Sequence, residues 1–333
     1  MHGFKALTAN GRHWAALTLL LALSTHSHAP ALAGDYPDRA VKIVVPFAAG
    51  GPADVYARFI AQRLQEAMGQ PFVVEDRPGG GSVVGTDIVA KSPPDGYTLL
   101  LMSNTHTVNE SLMPGKPFQL MRDFTAVAPI NNSDLVLVVN PAVPAKTLQE
   151  LIALAKAQPG KLNYASSGPG TPYHMAGELF KSMAGLDIVH VPYKESSAAR
   201  TGVLGGQVEM MFDAVTTMNE YAKAGRVRPL ATTGTARSPV LPNVPTMNEA
   251  GVAGYEAVIW LGVMAPKGTP PAIVNRLNAE IRKIVARPDV RDEWAKQGAV
   301  GMLMTPEEFS RYAADDVVKW ERIVKLSGAK PDQ

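Results

Sequence analysis

The chain has 333 residues, 46% hydrophobic and 19% charged, with 32 Lys+Arg against 30 Asp+Glu. The absence of cysteine excludes disulfides, thiolate metal sites, a cysteine nucleophile and a lipid-anchored cysteine. Lys5 and Arg12 account for the whole net charge of +2, so the rest of the chain is neutral and carries no electrostatic case for nucleic acid or an anionic membrane surface.

The first 33 residues read as a secretory signal peptide, with Lys5 and Arg12 as the basic n-region, an apolar stretch at 14–23 and the A-x-A site Ala31-Leu32-Ala33. Cleavage is expected after Ala33. No later stretch supplies the roughly 20 apolar residues of a transmembrane helix. The expectation is a free periplasmic protein, acting as a monomer. At about 300 residues a single core stops growing, which predicts two lobes. His106, His174 and His190 are the histidines beyond the leader, too scattered for metal spacing, and neither metal nor cofactor is expected.

The first element is a β-branched run, Val41-Lys42-Ile43-Val44-Val45, ending at Pro46. Phe47, Ala48, Ala49, Gly50 and Gly51 form a small-residue loop, and helical spacing restarts after Asp54. Strand, loop and helix N-terminus in this order make an anion site, because unpaired amides point outward and the helix dipole adds about half a positive charge. The loop matches neither GxxxxGK[ST] nor GxGxxG, so a carboxylate fits better than a phosphate. The alternative is an ordinary strand-to-helix turn with Asp54 as its N-cap.

A helix is predicted over 56–68, a strand at 72–74, a glycine-rich turn at 77–82, a helix over 83–91 and a strand at 97–102. This alternation predicts an α/β fold with a mostly parallel sheet covered by helices on both faces. The strand stops at the polar patch Ser103, Asn104, Thr105 and His106, read either as ligand donors at a strand's carboxyl end or as a solvated loop. Apolar segments at 125–130 and 135–139 flank Asn131-Asn132-Ser133-Asp134, the predicted lobe boundary. Lobe 1 is assigned 34–134 plus 257–333, and lobe 2 is assigned 135–256.

Lobe 2 opens with a helix over 147–157 whose Thr147 and Glu150 have capping-box spacing, then a strand at 162–165. Ser166, Ser167, Gly168, Pro169, Gly170 and Thr171 precede a helix over 173–184, so a second set of amides and hydroxyls stands at a helix start, unless this is a flexible connector. His174 and Glu178, one turn apart, are either an acid–base pair or a packed first turn. Strands follow at 187–191 and 208–212 with a short helix between them. Asp213 then either binds a ligand or orders its loop. A strand at 228–233, a proline-rich stretch at 238–245 and a strand at 256–264 lead into helices over 271–285, 289–297 and 306–326. The last carries Phe309, Tyr312, Val317, Trp320 and Ile323 on a core-type face.

A series of motifs runs in order along the chain: Pro46-Phe47-Ala48-Ala49-Gly50-Gly51 with Asp54, Arg77-Pro78-Gly79, Pro94-Asp95-Gly96-Tyr97, Ser166-Ser167-Gly168 with Gly170-Thr171-Pro172-His174, Val191-Pro192-Tyr193-Lys194, Phe212-Asp213 and Arg237-Ser238-Pro239. In these the chain resembles the substrate-binding receptors of tripartite tricarboxylate transporters, the Bug family. The resemblance implies a type II periplasmic-binding-protein fold, two α/β lobes joined by a hinge with the ligand cleft between them. It implies a ligand carboxylate held by backbone amides and waters from Phe47–Gly51 and Ser166–Thr171, and delivery to a separate membrane permease. Glu195 stands where the family usually has glycine, and the segment after Asp213 lacks the family's prolines, which bears on ligand identity.

The expected function is capture of a small organic carboxylate, whether a di- or tricarboxylate, an acidic amino acid or an aromatic acid, with Ser103, Asn104, Thr105 and Asp213 reading the distal end. No arginine clamp stands in the matched loops. A receptor feeding a signalling partner needs the same cleft. An exported serine hydrolase is disfavoured, because no G-x-S-x-G elbow occurs and Ser166-Ser167 lack a base and acid partner in sequence.

Overall fold

The computed structural model describes residues 3, 36–327, 329 and 330, so the predicted leader, apart from Gly3, and its cleavage site lie outside the described residues. Every element below belongs to the unit Pro37–Gln333. The chain alternates first as β1 (Val41–Val45), α1 (Pro52–Met68), β2 (Phe72–Asp76), α2 (Val83–Ala90), β3 (Thr98–Ser103), α3 (Asn104–Leu112) and α4 (Leu120–Asp123). A long strand, β4 (Phe124–Val139), leads to α5 (Leu148–Ala157), β5 (Asn163–Ser166), α6 (Pro172–Ala184), β6 (Val189–Pro192), α7 (Ser196–Leu204), β7 (Met210–Ala214), α8 (Val215–Lys223) and β8 (Arg228–Thr232). The return is β9 (Val258–Pro266), α9 (Pro271–Ala286), α10 (Pro288–Lys296), β10 (Ala299–Gly301) and α11 (Pro306–Ser327).

The strands follow the order β2-β1-β3-β9-β4-β7-β5-β6, with β8 and β10 also paired to β4. The expected mostly parallel sheet is corrected to a mixed one. Only β1–β2, β1–β3, β5–β6 and β5–β7 are parallel, and all pairings of β4 and β9 are antiparallel. The physical reason is that neither β4 nor β9 is joined to a sheet neighbour by a β-α-β crossover, the connection that parallel pairing requires.

A second correction concerns residues 131–134, predicted as a break between two strands. They lie inside the single 16-residue β4. Asn131, Asn132, Ser133 and Asp134 pair with Leu261, Trp260, Ile259 and Val258 of β9, and β10 pairs with Asn131, Asn132 and Ser133. The ladder satisfies their backbone, so polar side chains do not end the strand. Immediately beyond, Leu135–Val139 pairs with β7 and Val136–Val139 with β8. The strand therefore changes neighbours between Asp134 and Leu135.

Buried apolar residues cover both faces of the second set of strands. Leu135, Leu137, Tyr164 and Phe212 pack towards α5 and α6, while Val136, Val138, Ala165 and Met211 pack towards α7 and α8. In the first half Val44, Leu100, Met102 and Trp260 meet Phe309 and Ala313 of α11, which confirms the aromatic stripe of that helix as core. Each such side chain contributes about 1.5–3 kcal/mol on burial. Among the described residues no helix is long and apolar enough to cross a membrane.

Candidate functional site

The loop after β1 is held from within. Gly51, not Asp54, is the N-cap of α1, and Pro52 at the first helical position has no N–H to leave unsatisfied. Asp54 turns back, its Oδ2 accepting from the Gly50 N–H at 2.8 Å. Gly50 sits at φ +76°, in the left-handed region where an L side chain is strained. Arg58 pairs with Asp54 at 2.6 Å and Asp76 at 2.7 Å, so its charge is already spent beside the loop. What remains open is backbone: Ala48 and Ala49 are exposed, and their N–H groups have no acceptor among the described residues. Asp54 is thus engaged with the backbone of its own loop and with Arg58.

The polar patch Ser103-Asn104-Thr105-His106 is the start of α3, which sequence patterning missed because the helix has no apolar periodicity. Ser103 is its N-cap, with Oγ accepting from Thr105 N–H at 3.2 Å. Its own N–H donates to His106 Nδ1 at 3.2 Å, completing a reciprocal cap with histidine in place of the usual Glu. The Thr86 hydroxyl donates to Ser82 O and lies 3.0 Å from His106 Nε2, and His106 Nδ1 also stands 3.1 Å from Ser103 O, so both ring nitrogens are engaged inside the fold. Burial pushes the His106 imidazole down to about 4, keeping it neutral. Ser103, Asn104 and Thr105 are all buried, and Asn104 Nδ2 donates to Val258 O of β9 at 3.1 Å. Asn104 Oδ1 is buried with no partner among the described residues.

The second loop is also internally tied. Ser166 Oγ accepts from the Gly168 N–H at 3.1 Å and lies 2.6 Å from His190 Nε2. Thr171 caps α6, and the Gly170 N–H donates to His174 Nδ1 at 3.0 Å. His174 stacks on His190 with centroids 4.1 Å apart. Burial, reinforced by Lys181, lowers His174 to about 4, and burial together with His174 lowers His190 to about 3. His174 Nε2 is 3.9 Å from Glu178 Oε1, beyond hydrogen-bond range, and Glu178 instead accepts from the Tyr164 hydroxyl at 2.5 Å. The acid–base reading of His174 and Glu178 gives way to packing. Ser166 with His190 is a latch: Ser166 is 0% exposed, and a histidine held near 3 takes no proton at neutral pH. Ser167 and Gly168 are half-buried.

The two loops meet α3 from opposite ends. Phe47 sets its ring edge-on to His106 at 5.8 Å, in the helix's first turn. A Cβ on Gly170 would lie 2.6 Å from Leu112 Cδ2 and 3.2 Å from Asn109 Oδ1, one to two turns further on. A polar helix is therefore the common floor of both amide-bearing loops.

Asp213 is already satisfied. Its carboxylate is fully buried, accepting from Arg200 Nε at 2.7 Å and from the Ala214 N–H at 2.7 Å, with the Tyr173 hydroxyl close by. Burial pushes this carboxyl above the usual range, and Arg200 is the strongest pull the other way. Sequence reasoning missed Arg200, whose only signal is one charge inside the small, apolar run Ala198-Ala199-Arg200-Thr201-Gly202-Val203. It also missed Tyr173 and His190. Among the described residues no group of His, Asp and Glu is arranged to hold a metal.

An α/β chain that brings loops from strand carboxyl ends onto one polar helix has the architecture of a periplasmic binding protein. The family model "Tripartite tricarboxylate transporter family receptor" matches residues 56–329. Protein BugT of Bordetella pertussis is 40% identical over 304 residues, covering 91% of this chain and 93% of that protein. Among solved structures, R. palustris Rpa4515 with adipate superposes with a TM-score of 0.84 at 35% identity, over 90% of this chain and 100% of that one. MatC from Rhodopseudomonas palustris with bound malate gives 0.79 at 30% identity, over 87% and 100%. The chain belongs to the tripartite tricarboxylate transporter receptor family, the Bug proteins, which are periplasmic solute-binding receptors and not enzymes.

Proposed function

We propose that this receptor captures a small organic carboxylate in the periplasm and delivers it to a tripartite tricarboxylate-type membrane permease. The observation that carries the reading is the pair of amides at the exposed Ala48 and Ala49, without a partner among the described residues, ahead of α1 and in a loop fixed by the Gly50–Asp54 bond. Such a site attracts an anion through the helix end without a fixed cation, which suits a carboxylate. The adipate of Rpa4515 and the malate of MatC support the same class. The ligand-binding set comprises the loops 47–51 and 166–171 with Ser103, Asn104 and Thr105, while Asp54, His174 and Asp213 hold those parts in place.

Two lobes, 34–134 with 257–333 and 135–256, close on the ligand about the strands β4 and β9. The change of partners between Asp134 and Leu135 supports this division. Closure is stabilised by the ligand's higher affinity for the closed form. The receptor acts as a monomer, exported and cleaved after Ala33. N-terminal sequencing of protein recovered from the periplasm is expected to begin at Gly34.

The direct experiment is thermal denaturation of the mature protein with a panel of organic acids, sugars and peptides. A carboxylate is expected to raise the melting temperature, and Gly50→Val is expected to abolish that rise. A response to a sugar or peptide and to no acid would overturn the proposal.

A further inference from the structure

We propose that the end of α11, Trp320 to Val324, is a clasp between the lobes: it docks on the second lobe in the closed receptor and leaves it on opening, while the first half of the same helix stays with the first lobe. This inference rests on the two-lobed receptor reading above and deepens it by naming the contact that sets how readily the cleft opens.

α11 is one helix of 22 residues, and its two halves enter different cores. Phe309 and Ala313 are buried with Val44, Leu100, Met102 and Trp260, all assigned to the first lobe. Trp320, Ile323 and Val324 are buried in one cluster with Leu137, Tyr164, Phe180 and Phe212 of the second lobe, and Ala329 packs against the same cluster. Their spacing, i, i+3 and i+4, puts the three on one face, while Arg322 and Lys325 are exposed. The helix packs on both α3 and α6.

Asp316 marks the change from one core to the other. Its Oδ2 lies 2.6 Å from the Thr107 hydroxyl of α3 and accepts from Trp260 Nε1–H of β9 at 3.1 Å. Both partners belong to the first lobe, so a polar node fixes α11 there. Four residues on, Trp320 is 1% exposed in the second core. The clasp side chains are apolar, so parting them from the second lobe strands no buried polar side chain, whereas parting Asp316 from its partners would.

α3 repeats the arrangement beside it. Ser103 caps it at the end of β3, yet Val108 and Leu112 join the second-lobe cluster, and Leu112 stands against Gly170 of the second loop. A swing of the lobes about β4 and β9 therefore has to separate these contacts or bend α11. The helix has no glycine or proline after Pro306 at which to bend. Separation exposes Trp320, Ile323 and Val324 to water, which weights the ligand-free equilibrium towards the closed form and lowers the differential affinity the ligand must supply.

The chain has no cysteine, so engineered pairs carry spin labels at the chosen sites alone. Lys325→Cys with Met183→Cys joins the clasp to α6 of the second lobe, and Lys325→Cys with Lys283→Cys joins it to α9 of the first; all three sites are exposed. Pulsed electron paramagnetic resonance reads both distances in the mature protein, without ligand and with adipate or malate in excess. Without ligand the 325–183 distance is expected to include a component longer than the distance in this structure, while the 325–283 distance stays single. An acid that binds is expected to remove the longer component. Ile323→Ala/Val324→Ala is expected to raise the ratio of long to short component by about tenfold or more. The ligand-free distances on the native side chains decide the matter if that variant does not fold or neither acid binds. A 325–183 distance that is single and short without ligand, a 325–283 distance that changes in its place, or a variant that lowers stability without moving the ratio overturns the clasp. The carboxylate reading stands or falls separately, on the acid panel.

Discussion

Gly170 shows how tightly single atoms control the site. It sits at φ +73°, and a Cβ would press on Leu112 Cδ2 in the floor helix. Leu112 is itself buried, so it has little room to yield. Gly170→Ala is expected to lower unfolding stability by about 1–3 kcal/mol, as overpacking does, and to weaken ligand binding because the second loop no longer seats on α3. Urea denaturation and calorimetric titration read the two effects. Unchanged affinity with lowered stability would mean that the contact with α3 is not part of the bound state. His190 and His174 carry a related expectation: both are neutral above about 4, so ligand affinity should be flat from pH 5 to 8 as far as these two groups decide it. A titration series across that range checks this, and a break near pH 6.5 would contradict the buried, stacked arrangement.

Among elements, β4 carries a buried carboxyl at the point where it changes neighbours. Asp134, the last residue of β4 before it changes neighbours, is pushed up to about 6 by burial and by the negative charge of Glu256, just ahead of β9. A carboxyl raised on folding binds its proton more tightly in the folded chain. Below the unfolded value near 4 the group costs nothing, the cost grows as pH rises from about 4 to 6, and it is complete above that. Asp134→Asn is therefore expected to stabilise the protein by about 1–2 kcal/mol at pH 7.5, after allowance for partial solvent screening, and to change little at pH 4. Urea melts of both proteins at the two pH values test the sign. Equal effects at both would show that charge is not the cause. The α5 cap is a simpler case: Thr147 Oγ1 accepts from the Glu150 N–H at 3.2 Å, and Thr147→Ala is expected to cost about 1 kcal/mol.

For the whole molecule the governing relation is linkage between binding, closure and stability. A ligand at about 100 times its dissociation constant adds about 2.7 kcal/mol to unfolding stability, a rise of several degrees for a chain of this size. If the lobes close about β4 and β9, small-angle scattering should also show a smaller radius of gyration with saturating ligand. A melting shift without compaction would indicate binding to an already closed form.

Much of this molecule was legible locally. The run 41–45, the loop to Gly51, the helix through Met68 and the Thr147 cap are specified by neighbours in sequence, through β-branching, helical spacing, glycine geometry and capping chemistry. The ordered motifs carried the family, and with it the fold class. The misses share one cause, that partners distant in sequence decided the outcome. Asn131 to Asp134 look like a break until β9 and β10 pair with them. The residues of α3 look like a solvated loop until Thr86, Val258 and Asp316 pair with His106, Asn104 Nδ2 and Thr107. Asp213 looks like a ligand contact until Arg200, thirteen residues earlier, takes its charge. The sequence by itself determined most of the element types and the family. Only the tertiary structure decided which polar groups remain free, because a hydrogen bond or ion pair across the fold depends on through-space distance that no local pattern encodes.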